Sequence, residues 1–145
     1  MDKEQIHNFF NQYSVEFNKV LNGEIQDAEK TASFFSSCFI ASGPAGVHCG
    51  ENNESFRDAM QKGYAFYRNI GIKSMEIVSR DITLLNDLHA MTRIRWKSGY
   101  QRKDGVKSAI EFENIYFTRN INGEHKVFAY ITGDEEAALK EIGLI

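Results

Sequence analysis

The chain has 145 residues, of which 42% are hydrophobic, 26% charged and 12% aromatic, with a formal net charge of −3. This is the balance of one ordinary globular domain over residues 1–145, and no run of Lys and Arg supplies the basic field that nucleic-acid binding needs. No apolar run reaches the length of a membrane span, the opening MDKEQIHNFF is acidic and polar rather than a signal peptide, and two cysteines without such a signal point to a reducing, cytoplasmic setting.

Residues 3–22 are predicted helical, because Ile6, Phe9, Phe10, Tyr13, Phe17, Val20 and Leu21 recur at three and four and Asn22-Gly23 stops the run. Residues 27–35 read as a short second helix with Asp27 as its cap. CFIA then reads as a strand, SGPAG as a turn and VHC as a short return strand. Ser55-Phe56-Arg57-Asp58 has the spacing of a capping box, and Phe56, Ala59, Met60, Gly63, Tyr67 and Ile70 continue a third helix to Gly71. From Ile72 the period becomes two, and turn signals at 86–88, 103–105 and 121–123 divide four long strands, about 72–85, 89–102, 106–120 and 124–132. Thr132-Gly133-Asp134-Glu135 opens a last helix that Gly143 closes, read as an acidic, solvated surface helix with a Glu136–Lys140 pair. The expected class is α+β: a curved antiparallel sheet of four long strands, plus a short first strand or hairpin, around three N-terminal helices, with a short C-terminal helix.

Register assigns the faces. A three-residue loop at each turn sets Arg95 against Glu113, Lys97 against Glu111, Trp96 against Phe112, Val78 against Trp96 and Asp81 against Arg93. The same rule sets Tyr116 against Phe128 and Asn114 against Tyr130. One face then carries Val78, Arg80, Ile82, Ile94, Trp96, Phe112, Asn114, Tyr116, Phe128 and Tyr130, and this aromatic face is expected beneath the helices. The other is charged at one end and apolar at the other. Its apolar residues, Ile115, Phe117, Val127, Ala129 and Ile131, form a patch expected to be a homodimer interface. Two polar groups interrupt the aromatic face: Asn114, which bonds a nearby Tyr or a ligand, and Arg80, which either enters the interior or keeps its head at the rim in water.

The element order resembles the nuclear transport factor 2-like superfamily over nearly the whole chain. The stretches that carry the resemblance are FNKVLNGE, FFSSCFIASGPAGVHCGENNESFRDAM and EFENIYFTRNINGEHKVFAYITGDEEAALKEIGLI. It implies a cone-shaped fold, dimers formed through the outer sheet face, and an interior used by the enzymes among its members. The superfamily also holds non-enzymes, so fold alone assigns no chemistry. The isomerase mechanism found there needs a carboxylate in an Asp-Pro-x-Gly turn, and here the matching turn is Gly43-Pro44-Ala45-Gly46. Its late-strand Asp falls on Asn114, and alignment of helix ends moves its helix-one Tyr from Tyr13 toward Glu16. The base is therefore missing and ketosteroid-type isomerisation is not expected.

Other motifs resolve to structure. SGPAGVHCG lacks the Gly-Lys-Ser/Thr of a phosphate loop, and Cys38, His48 and Cys49 lack a fourth ligand for structural zinc, so no metal and no cofactor is expected. His48 is placed in the turn region near the cone mouth, and the two thiols are read as small packed side chains rather than a disulfide. The leading expectation is a cone that binds a small, largely apolar ligand. Tyr13, Phe17, Tyr67, Arg80, Trp96, Phe112, Asn114, Tyr116 and Tyr130 are its candidate pocket residues. The rival is a dimerisation or interaction module with a filled cone, and an enzyme of polyketide cyclase or hydratase type stands third.

Overall fold

A computed structural model describes residues 1–25 and 27–145. Helix α1 spans Lys3–Leu21. Its start is closed reciprocally: the Gln5 N–H donates to Asp2 at 2.9 Å and the Asp2 N–H to the Gln5 side chain at 3.1 Å. Helix α2 is shorter than predicted, Glu29–Ala32, because the chain already extends as strand β1 at Phe35–Gly43. Asp27 accepts the Glu29 N–H at 3.1 Å, at the start of that helix. The first strand proves to be half of a hairpin, with β2 at Gly46–Glu51. Helix α3, Glu54–Ile70, begins earlier than the Ser55 reading, because Asn53 takes the Phe56 N–H at 3.1 Å and leaves Ser55 inside the first turn. Gly71 ends it with φ 97°, a left-handed cap that glycine adopts without strain.

Strands β3 (Ile72–Leu84), β4 (His89–Gln101), β5 (Lys107–Ile121) and β6 (Glu124–Thr132) form the antiparallel meander. Helix α4, Glu135–Glu141, follows, capped by Asp134 on the Ala137 N–H at 2.9 Å. The sheet order is β2-β1-β6-β5-β4-β3, with β1 parallel to β6.

The β4–β5 register is the expected one, with Trp96 opposite Phe112 and Arg95 opposite Glu113. The ion pairs form on the diagonal instead: Arg93 to Glu113 at 2.6 Å and Arg95 to Glu111 at 2.9 Å. Two other registers shift. Between β3 and β4 a bulge sits at Val78, so Ile77 faces Trp96 and Val78 turns out, half exposed. At the last hairpin the loop has two residues, not three, because Asn122 (φ 54°) and Gly123 (φ 83°) both take the left-handed conformation of a tight primed turn. That moves the register by one and turns Val127 inward. A bulge at Phe128 then restores the parity, so Tyr116 faces Tyr130 and Asn114 faces Thr132.

The corrections are specific. Val127 is a core residue, 2% exposed, and leaves the proposed interface set, while Phe128 leaves the concave face and packs on Phe117 and His89 outside. Ile115 and Ile131 pair on the outer face, as do Phe117 and Ala129, and Ile40 of β1 extends the row beside Ala129. The bulges bend the sheet around α1 and α3. Asn18 holds α1 to β3, its amide donating to the Met75 carbonyl at 2.8 Å while its oxygen accepts the Met75 N–H at 2.9 Å. That latch fixes the rotation of α1 that brings Phe17, the preceding residue, and Tyr13, just over one turn earlier, to the cavity.

Candidate functional site

The helices and the concave sheet line a cavity of about 270 Å³ that opens to solvent. Tyr13 and Phe17 come from α1, where helical spacing puts them on one face. Phe56, Met60, Gly63, Tyr64 and Tyr67 form a stripe along α3. The sheet contributes Phe35, Met75, Trp96, Phe112, Asn114, Tyr116, Tyr130 and Thr132 at inward positions of their strands, and α4 contributes Glu135. Ten of these sixteen residues are aromatic. Their rings pack mostly edge to face, as in Tyr13–Trp96 at 6.2 Å and Phe17–Tyr64 at 4.8 Å.

Tyr116 organises the polar part. Its oxygen accepts the Trp96 indole N–H at 3.0 Å and the Asn114 amide at 3.2 Å. With both lone pairs engaged, the phenol's own proton is what it offers inward. Burial pushes its pKa up to about 12, the two hydrogen bonds work against that rise, and the nearby Tyr130 and Glu135 add to it. Burial also pushes up Tyr13, Tyr67 and Tyr130, and Tyr64 to about 12. At neutral pH all five phenols therefore remain protonated donors. Burial raises the Glu135 carboxyl above its ordinary range, opposed by the hydrogen bond from Tyr67.

Eight of the nine residues expected from the sequence line this cavity: Tyr13, Phe17, Tyr67, Trp96, Phe112, Asn114, Tyr116 and Tyr130. Arg80 does not. Its register is inward, opposite Ile94, but its guanidinium clamps α1 at the rim, donating to the His7 carbonyl at 2.9 Å and to Asn11 at 2.6 Å. Asn114 has the Tyr partner that buried polar groups require and still borders the cavity. His48 is exposed on β2, outside the lining. Cys38 and Cys49 are free and exposed rather than packed; they lie on the same face of the hairpin, at diagonal positions. Among the described residues no cluster of three or more His, Cys, Asp or Glu is placed to hold a metal ion, and no helix is long and apolar enough to cross a membrane.

Glu135 is the main residue that the sequence reading missed. The acidic run 134–136 groups it with a solvated surface helix, yet it shares a helical face with Leu139 and Ile142, and Leu139 is 3% exposed. The four-residue spacing from Glu135 to Leu139 was the available signal. Tyr64 was missed on α3, although its spacing to Met60 and Tyr67 is helical.

No curated protein matches the chain. Several solved structures share the fold. An NTF2-like protein with a cystatin-like fold from Novosphingobium aromaticivorans is 13% identical, with a TM-score of 0.69, covering 98% of this chain and 88% of that one. A candidate scytalone dehydratase from the same organism is 15% identical, with a TM-score of 0.62 over 88% of this chain and 80% of that one. A candidate calcium/calmodulin-dependent protein kinase II association domain from Xanthomonas campestris is 13% identical, with a TM-score of 0.66 over 92% and 87%. At these identities the likeness is one of fold. Residues 3–135 match the family DUF6841, described as NTF2-like protein, and the chain, with its helices held in a bent six-stranded sheet, belongs to that family.

Proposed function

We propose that this protein binds a small, largely apolar ligand inside the cone and holds it by a hydrogen bond from Tyr116. The observation that carries the reading is the Tyr116 phenol, buried at the wall of a 270 Å³ aromatic cavity with its oxygen saturated and its proton uncommitted. Such a group favours a ligand with an acceptor oxygen, while the ring-lined walls favour an apolar body. A cavity of about 150 Å³ accommodates benzene, so this one suits a substituted ring or a small bicycle. The chain works as a cytoplasmic homodimer in this reading. Support for pairing comes from the outer row of Ile115, Phe117, Ala129 and Ile131, in which Ile131 is 43% exposed. The exposed thiols of Cys38 and Cys49 accord with a reducing compartment.

Trp96 is the only tryptophan of the chain and lines the cavity, so its emission reports occupancy. Titration with small cyclic alcohols and ketones is expected to change Trp96 emission and raise the melting temperature. Gly63→Leu is expected to abolish both responses, because Gly63 borders the cavity and a side chain there enters open space, leaving the fold intact. If no compound of the panel perturbs the native protein, the binding reading fails.

A further inference from the structure

The cavity has an uneven charge inventory. Glu135 is the single acid of its lining, and the lining holds no Lys, Arg or His among the described residues. The group beside that carboxylate is the Tyr67 hydroxyl, which is neutral and keeps its proton. The nearby cation of α4, Lys140, is engaged on the outer side with Glu136 at 3.1 Å. At this half-buried position ionisation of the carboxyl is disfavoured without a cationic partner, the chain provides none from its own wall, and a cation beside it would favour the charged form. The remaining walls supply the other half of a cation site. Tyrosine and tryptophan rings present electron-rich faces that attract an ammonium group, more strongly where water is excluded. Tyr67 joins the two features, since it lines the same wall as Glu135 and its ring packs with Phe17 at 6.5 Å.

We infer that the ligand of the cone is a small organic cation, a tertiary or quaternary ammonium on an apolar ring or short chain, with its positive centre between Glu135 and the tyrosine rings. This rests on the reading of the cone as a ligand site and deepens it: Glu135 takes the positive centre, while Tyr116 remains the donor to an acceptor oxygen elsewhere on the ligand. The same inventory disfavours carboxylates, phosphates and acyl-thioester carriers, which would meet Glu135 with no positive group to offset the repulsion. The size also fits: about 270 Å³ holds one ring bearing a trimethylammonium head.

The test compares two probes of one shape, phenyltrimethylammonium and its uncharged carbon isostere tert-butylbenzene, titrated into the full chain with Trp96 emission as readout. The cation is expected to bind at least tenfold more tightly than the isostere. Glu135→Gln is expected to bring that ratio close to one by weakening the cation while leaving the isostere unchanged. If the isostere binds as tightly as the cation in the native protein, the inference is overturned and the apolar-ligand reading stands. If the preference for the cation persists in Glu135→Gln, the assignment to Glu135 is overturned. If neither probe binds while the alcohols and ketones do, the cation inference alone falls; if nothing binds, both fall.

Discussion

The Tyr116 oxygen accepts from the Trp96 indole and the Asn114 amide, and three separate strand positions meet on that one atom. Removing it leaves two buried or half-buried donors without an acceptor. Tyr116→Phe is expected to cost about 1–3 kcal/mol, since an orphaned donor loses water as well as its partner. Urea unfolding checks it, and a cost near zero would mean that water replaces the phenol and that the wall is wetter than its rings imply. Asn114 and Tyr116 were legible as neighbours, because residues two apart on a strand share a face. Arg80 was legible only in part. Parity put it on the concave side, as found, but parity does not say how far a long side chain reaches. Its guanidinium passes the cavity and ends on α1, at His7 and Asn11.

Among the elements, α4 carries the consequence for pH. Burial favours the neutral form of Glu135, so the folded chain keeps this proton at pH values where the unfolded chain, with an ordinary pKa near 4.5, has released it. The resulting contribution to stability is complete below the unfolded value and is lost as pH rises through the higher folded value. Glu135→Gln does not titrate. Its melting temperature relative to the native protein is therefore expected to rise between pH 4 and pH 8. A constant offset across that range would show that Glu135 is solvated as an ordinary surface acid. The hairpins show how local chemistry sets register. At Lys103-Asp104-Gly105 a three-residue loop with Gly105 at φ 92° gives the expected pairing. At Asn122-Gly123 two consecutive left-handed residues shorten the loop and shift every pair beyond it. The Asn-Gly pair was visible in the sequence and is a strong two-residue signal; treating all three loops alike placed Val127 outside and Phe128 inside.

At the scale of the molecule, the sheet presents two unlike faces. The concave one is closed by α1 and α3. The convex one is divided between the Arg93–Glu113 and Arg95–Glu111 ion pairs and the apolar row ending at Ile131 and Ile40. A dimer through that row is expected to appear as twice the chain mass in light scattering, and Ile131→Lys is expected to give monomers by placing a desolvated charge at the contact. A monomeric native protein would remove the interface from the proposal. The sequence by itself determined the order of elements, the helix ends at Gly71 and Gly143, the β4–β5 register and eight lining residues, because these follow from periodicities and turn residues that act within a few positions. Only the tertiary structure decided the bulges at Val78 and Phe128, the clamp of Arg80 on α1 and the inward turn of Glu135. Those depend on how a bent sheet closes over its helices, and that closure is set by packing between segments far apart in the chain.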